Sequence, residues 1–134
     1  DSVPSIRYSE ELGLFEGQTP SLGEITYFAF GIPSVEFHDE LWGEIQVITK
    51  RKSEWSLNVC LHDTHKLSYD KEWDRDNRPN EGPEDATLPY YIRNSIHHPE
   101  NRLNDPYTDE ELAESTESLI AVLKALQGTQ VSNP

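Results

Sequence analysis

Three side chains in the last third of the sequence have the types and spacing needed for acid–base chemistry on a phosphate. Arg93, Asn94 and His98 lie in the segment 91–101, which reads YIRNSIHHPEN. An imidazole titrates near neutrality, so His98 can serve as a base or an acid. The planar fork of Arg93 can hold two phosphoryl oxygens and stabilise their growing charge. Asn94 can orient the histidine or the phosphate. Chemistry of this kind requires no metal or other cofactor.

An arginine, a polar residue directly after it and a histidine after four intervening positions resemble the hallmark of the HEPN superfamily. This superfamily contains small helical RNases and toxin-like domains. Arg93, Asn94 and His98 carry the resemblance, which covers residues 86–127. It implies an endoribonuclease of a toxin–antitoxin or phage-defence system, in which a 2′-hydroxyl of RNA attacks the adjacent phosphate. It also implies a homodimer, with His98 of each subunit acting on one phosphate.

The resemblance further implies supporting residues and partners. Tyr91 and Ser95 are expected to line the RNA groove. His97 lies outside the spacing rule and is expected to be a neighbour of the substrate rather than the catalyst. Many relatives are joined to, or work beside, an ATPase, an antitoxin or another regulatory protein, so a partner of this kind is expected here.

Each of these residues also has a structural interpretation. Arg93 can pair with a carboxylate such as Glu100 or Asp105, because the chain is rich in acidic residues. His98 can simply close a helix end, where an imidazolium suits the helix dipole. Catalytic residues also have structural partners, so these interpretations do not exclude the chemistry.

A second cluster, Cys60-x-His62-x-x-His65, contains residue types that bind zinc. Its spacing matches no closed set of four ligands, and a fourth ligand cannot be assigned. The segment is therefore interpreted as a polar turn, and no metal site is predicted.

The charge balance opposes a nucleic-acid substrate. Eleven Lys and Arg against 25 Asp and Glu give a formal net charge of -14. Such a surface repels nucleic acid at long range, so RNA binding must rely on a local basic pocket or on a basic partner. The same charge favours two other classes of function. One is a non-catalytic acidic protein-interaction module, and the other is a nucleic-acid mimic that blocks a DNA- or RNA-binding protein.

The length of 134 residues fits a single domain, 1–134. No window approaches a membrane span of roughly 18 apolar residues, and no secretory signal is visible. The single cysteine, Cys60, cannot form an internal disulfide, which favours a reducing compartment and predicts a cytoplasmic protein. The chain starts at Asp1 and has no methionine, so we expect a processed chain or a fragment of a longer protein.

Three polar segments divide this domain. Residues 1–20 are predicted to be an irregular arm with a docking point at Leu12, Leu14 and Phe15. Residues 70–86 are predicted to be a charged loop, too polar to bury. Residues 128–134 are predicted to be a frayed tail.

Local signals place three helices between these segments. The predicted ranges are 34–52, 88–98 and 109–127. Capping residues support each start: Ser34, Thr87 and the capping box formed by Thr108 and Glu111. Pro99 is expected to end the second helix at His98, and Gly128 is expected to end the third.

Two further segments have ambiguous patterns. Residues 22–32 suit either a helix or a strand. In residues 53–70 the apolar side chains first alternate, which favours a half-buried strand, although a helix stays possible in a bundle. The alternating residues are Trp55, Leu57, Val59 and Leu61. The predicted fold class is mainly α: a small helical bundle with an irregular N-terminal part, and with room for a short strand or hairpin.

Overall fold

The structure, a computed structural model, describes residues 20–78 and 80–131, with the side chains of 129–131 left aside. The described chain is mainly helical with one two-stranded antiparallel sheet, which confirms the predicted fold class. The elements in chain order are α1 (Leu22–Phe30), α2 (Val35–Thr49), α3 (Glu54–Asp63), β1 (Lys71–Trp73), β2 (Glu84–Ala86), α4 (Leu88–His97) and α5 (Asp109–Val131). Most of the predicted arm 1–20, including Leu12, Leu14 and Phe15, lies outside the described residues.

A hydroxyl side chain starts every one of these helices. The first four caps each accept a hydrogen bond from the backbone N–H three residues later, as N-caps do. The Thr108 hydroxyl accepts from Glu111 N, and the Glu111 carboxylate accepts from Thr108 N, so the predicted capping box is confirmed. The capping residues are Ser21, Ser34, Ser53, Thr87 and Thr108.

The alternation at residues 55–61 favoured a strand and left a helix possible in a bundle, and the structure has the helix. Residues 54–63 form helix α3, in which Leu57 and Leu61 stand four positions apart on the buried face. Trp55 lies on the exposed side, 41% accessible. The four alternating residues span only seven positions, about two turns of helix, so the pattern does not separate a helix from a strand, and the Ser53 cap favours the helix.

The predicted charged loop 70–86 contains the short hairpin for which the fold-class prediction left room, so its two ends are strands rather than loop. Strands β1 and β2 pair antiparallel, with Lys71 opposite Ala86 and Trp73 opposite Glu84. Each strand buries a single residue, Trp73 in β1 and Ala86 in β2, while charged residues occupy most other positions. Asn58 on α3 secures the end of the hairpin, because it donates to Asp85 O and accepts from both N and Oγ1 of Thr87.

Helix α4 has the predicted start and end, whereas α5 runs further than predicted. His98 is the C-cap of α4, as Pro99 requires. Helix α5 passes through Gly128 to Val131, so the predicted stop at Gly128 is wrong, and residues 132–134 of the predicted tail lie outside the described residues. A stopping glycine adopts a positive φ, and the described glycines that do so are Gly31 and Gly82.

The core lies where α2 packs against α5, and α4 crosses both helices. Apolar side chains from all five helices fill it, including the fully buried Phe37, Leu41, Ile45, Leu57, Leu61, Leu119 and Leu123. This packing places the end of α4 beside the start of α3 and the end of β1. Within the described ranges, no helix is long and apolar enough to cross a membrane.

One histidine is buried in the seam between α2 and α5. His38 has no exposed surface, and its Nε2 lies 2.7 Å from the Ser115 hydroxyl oxygen. Its other ring nitrogen has no hydrogen-bond partner among the described residues. Burial disfavours the charged ring and lowers the pKa of His38 to about 4.

Candidate active site

A cleft of about 420 Å³ opens where the start of α3, the end of β1 and the end of α4 meet. It contains all three residues of the predicted catalytic motif, Arg93, Asn94 and His98. We call it the Arg93 cleft. Its lining residues are Ser53, Glu54, Trp55, Trp73, Arg75, Asp76, Asn77, Tyr90, Arg93, Asn94, His98, Glu100 and Asn101.

Arg93 is fixed in the wall of the cleft by two contacts. Its Nη2 lies 3.5 Å from Glu54 Oε2, and its Nη1 donates to Asn94 Oδ1 at 3.3 Å. Glu54 is itself fixed, because its Oε1 accepts from Trp42 Nε1 at 2.7 Å and from Gln46 Nε2 at 3.2 Å. The Arg93 side chain is 16% exposed. A guanidinium has five N–H groups, so these two contacts leave donors for a ligand.

Asn94 is almost completely buried and connects its neighbours on α4. Its side-chain oxygen accepts from Arg93, and its side chain also hydrogen-bonds Tyr90. Its backbone oxygen accepts from His98 N at 2.9 Å, which closes the last turn of the helix. Asn94 is therefore placed to orient the arginine, whereas the sequence analysis expected it to orient the histidine or the phosphate.

His98 reaches the cleft because α4 ends there. In a continuous helix, residues 93 and 98 would point about 140° apart. At the C-cap the backbone leaves helical geometry, with φ -130° and ψ 62°, and His98 lines the same cleft as Arg93. Its side chain is 50% exposed, and its Nδ1 lies 3.4 Å from Glu100 Oε2.

His98 also lines a second cavity, of about 690 Å³, next to the first. Trp73 and Asn101 are shared by the two cavities, and Ser95, Arg102 and Tyr107 contribute to the second alone. The imidazole can therefore be approached from two sides.

Arg75 is a cleft residue that the sequence analysis missed. It follows β1, and its Nη2 contacts Glu84 Oε2 at 2.7 Å. The hydrogen bond to Glu84 is the main cause of the raised pKa of Arg75. Glu84 also accepts from the Tyr90 hydroxyl at 2.8 Å, and burial together with this carboxylate raises the pKa of Tyr90. Only the pairing of β1 with β2 brings Arg75 here, so no local motif could have indicated it.

The three predicted supporting residues lie elsewhere. The Tyr91 ring is buried, its hydroxyl donates to Asp105 O at 2.6 Å, and it does not line the cleft. Ser95 donates to Tyr91 O and faces the second cavity. His97 pairs with Asp39 at 2.9 Å in a small cavity between α4 and α2. The structure thus brings Arg93, Asn94 and His98 together and leaves Tyr91, Ser95 and His97 outside their cleft.

The Arg93 cleft is not a basic patch. Three of its lining residues are carboxylates, Glu54, Asp76 and Glu100, against two arginines and one histidine. The carboxylate that holds Arg93 is Glu54, not the Glu100 or Asp105 named as possible partners from the sequence. Positive charge in the cleft is therefore local and directional, which limits attraction of a polyanion from a distance.

The Cys60 cluster is dispersed by helix α3. The Cys60 thiol is in the core, whereas His62 stacks on Tyr69 with ring centroids 3.8 Å apart and lies 2.9 Å from Leu67 O. Partial burial lowers the pKa of His65. Across residues 20–78 and 80–131, no three His, Cys, Asp or Glu side chains are grouped so as to hold a metal ion.

Comparison with known proteins identifies no relative: the chain matches no protein-family model, no curated protein and no solved structure.

Proposed function

We propose that this chain is a metal-independent endoribonuclease and that the Arg93 cleft is its active site. The observation that carries the proposal is the convergence of Arg93, Asn94 and His98 on one cleft, with a fixed guanidinium and a half-exposed imidazole. The resemblance of these residues to the HEPN motif supports the same reaction. A toxin-like or phage-defence role in the cytoplasm, beside an ATPase, antitoxin or other regulatory partner, is part of the proposal.

The reaction needs a base, an acid and a stabiliser of negative charge. A base removes the proton of the 2′-hydroxyl, whose oxygen then forms a bond to the adjacent phosphorus. The bond from phosphorus to the 5′-oxygen breaks, and an acid gives that oxygen a proton. The products are a 2′,3′-cyclic phosphate and a 5′-hydroxyl. Arg93 donates to the phosphoryl oxygens, whose charge grows in the transition state, and Asn94 keeps Arg93 oriented.

His98 supplies one of the two proton-transfer groups. A single imidazole cannot occupy both ends of the scissile bond, so a second copy of the chain is the proposed source of the other group. In such a homodimer His98 of one subunit acts as the base and His98 of the partner as the acid. The half-exposed position of His98, between two cavities, leaves it accessible to a strand shared with a second copy.

The acidic surface favours the alternative of a non-catalytic interaction module or a nucleic-acid mimic. The net charge of -14 and the three carboxylates in the cleft are the observations in its favour. Neither alternative requires a buried asparagine to orient an arginine beside an exposed histidine, which is why the nuclease is preferred.

The test is RNA cleavage by purified protein in excess EDTA, with end-group analysis of the products. We expect the parent to leave 2′,3′-cyclic phosphate ends, and Arg93→Ala and His98→Ala to lower the rate by about 10²- to 10⁴-fold. Arg78→Ala is the matched control, because Arg78 is 53% exposed and pairs only with Glu81 among the described residues. It should cut at the parental rate.

His97→Ala decides between the two neighbouring histidines and should also cut like the parent, since His97 faces Asp39 outside the cleft. Equal losses in His97→Ala and His98→Ala would contradict the assignment of His98. If the protein is a folded dimer but cuts none of a broad set of RNAs, this result would contradict the nuclease proposal and favour the interaction module.

A further inference from the structure

The indole of Trp55 is left exposed in the Arg93 cleft. It is 41% accessible, whereas the other two apolar rings among the described lining residues, Trp73 and Tyr90, are buried. Trp55 and Tyr90 pack in a T-shaped pair, with ring centroids 5.9 Å apart and an angle of 71° between the planes. An isolated exposed ring is common on protein surfaces. This ring differs because it shares a cleft with two arginines and the proposed catalytic histidine.

The two arginines reach the cleft from different elements and are each held by a carboxylate. Arg75 is fixed by Glu84 at 2.7 Å and Arg93 by Glu54 at 3.5 Å. Glu84 is anchored in turn by the Tyr90 hydroxyl, and Glu54 by Trp42. Guanidinium groups held in this way lose little side-chain entropy when they bind a phosphate, which suits short-range contacts to neighbouring phosphates of one strand.

We infer that the Arg93 cleft binds RNA as a single strand, with an unpaired base stacked on Trp55 and a flanking phosphate held by Arg75. The inference rests on the proposed function, because it concerns the substrate of the same cleft. In an RNA duplex both faces of each base are covered by neighbouring bases. Only an unpaired base can offer its face to an indole, and such stacking tolerates any base sequence.

The negative charge of the protein indicates which contacts must supply the affinity for RNA. With a net charge of -14 and carboxylates in the cleft, long-range attraction contributes little to binding. Affinity then comes from stacking and from two phosphate contacts, those of Arg75 and Arg93. For a single strand, two such contacts correspond to a slope of about -1.4 in a plot of log K against log salt.

The experiment measures binding separately from cleavage. The probe is a fluorescent oligoribonucleotide carrying a 2′-O-methyl group at every position, so that it has no attacking 2′-hydroxyl. It is titrated as a single strand and as a duplex with its complement, and affinity is followed by fluorescence anisotropy. Circular dichroism melting confirms that each variant is folded.

We expect the parent to bind the single strand at least about ten-fold more tightly than the duplex. Trp55→Leu should weaken single-strand binding by about ten-fold or more, whereas Trp55→Phe, which keeps a flat ring, should retain most of it. Arg75→Gln should weaken binding and make the salt slope shallower by about 0.7. The matched control is Phe30→Leu, because Phe30 is a 71% exposed ring on α1 outside the cleft; it should bind like the parent.

The outcomes separate this inference from the proposed function. Parental binding by Trp55→Leu, equal affinity for duplex and single strand, or failure of the parent to bind either probe would overturn the stacking site. If the parent cuts RNA while Trp55→Leu keeps the parental affinity and KM, the nuclease stands and the stacking site fails. If Trp55→Leu loses binding and the parent never cuts RNA, the stacking site stands and the nuclease fails.

Discussion

The α2–α5 seam and the Arg93 cleft each contain a histidine, and the environments of the two rings differ. His38 is completely buried against Ser115, and its pKa falls to about 4. His98 stands at a helix end, half exposed, between two cavities. A ring that stays neutral throughout the physiological range cannot exchange protons with a substrate near neutrality. Burial therefore assigns His38 to stability and leaves His98 available for chemistry.

The largest stability effect that would test this comparison comes from acid titration of the seam. The unfolded state takes up a proton on His38 near pH 6.5, and the folded state does so only near pH 4. The stability of the parent should therefore be complete above pH 6.5 and fall as the pH drops toward 4. The His38 share of that loss is about 3 kcal/mol.

The His38→Gln variant has no titratable ring at position 38, so its comparison with the parent measures how much of the stability lost in acid is due to His38. The free energy of unfolding, measured with urea from pH 7 to pH 4, should fall less steeply in this variant than in the parent. Ser115→Ala is the control: it removes the partner of the ring but leaves the ring buried, so it should be less stable at every pH and keep the acid sensitivity. If the free energy of unfolding fell identically with pH in the parent and in His38→Gln, His38 would not be the cause of the loss of stability in acid.

A smaller effect is expected at Asn58, the buried amide that connects β2 and the start of α4 to α3. Asn58→Ala removes three hydrogen bonds and takes away the acceptor of the buried Thr87 N–H. We expect a loss of about 2 kcal/mol in the free energy of unfolding. Asn80→Ala, in an exposed turn, is the control and should cost less than about 0.5 kcal/mol. Similar denaturation midpoints for the two variants would contradict the structural role of Asn58.

The smallest stability effect is expected in the cleft itself. His98→Ala removes an exposed side chain whose ionic contact with Glu100 is 3.4 Å long and also exposed. The free energy of unfolding of His98→Ala should stay within about 0.5 kcal/mol of the parent value, even though its RNA cleavage rate is expected to fall sharply. A thermal melt on the same preparation as the cleavage assay checks this. If His98→Ala were strongly destabilised, His98 would contribute to stability as His38 does, and the contrast between the cleft and the seam would fail.

Local sequence signals were sufficient where a single side chain decides the structure. Ser34, Thr87 and Thr108 indicated the three predicted helix starts, because a cap acts on backbone groups only two or three residues away. Pro99 indicated the end of α4 for a similarly local reason. The motif residues Arg93, Asn94 and His98 were found together because they belong to one helix and its C-cap.

The remaining features depend on contacts that are distant in the sequence. The sequence left room for a short hairpin but did not place it, because each strand is three residues long and buries only one of them, so the hairpin has no apolar pattern of its own. Arg75 was missed for the same reason. The alternation from Trp55 to Leu61 favoured a strand, although tertiary packing against the core selects the helical face through Leu57. Gly128 failed as a stop because a glycine ends a helix only when the chain turns there.

The anchoring of Arg93 by Glu54 has a dynamic consequence. Glu54 is the first residue of α3, and the first turn of a helix opens far more often than its centre. The orientation of Arg93 therefore depends on how often this first turn of α3 opens. The hydrogen bond from Trp42 Nε1 to Glu54 opposes the opening. On heating, the fraction of molecules with an aligned guanidinium should decline before the helices melt. Amide exchange at Ser56 and Leu57, whose N–H groups bond Ser53, would then follow loss of activity more closely than the global melting curve does.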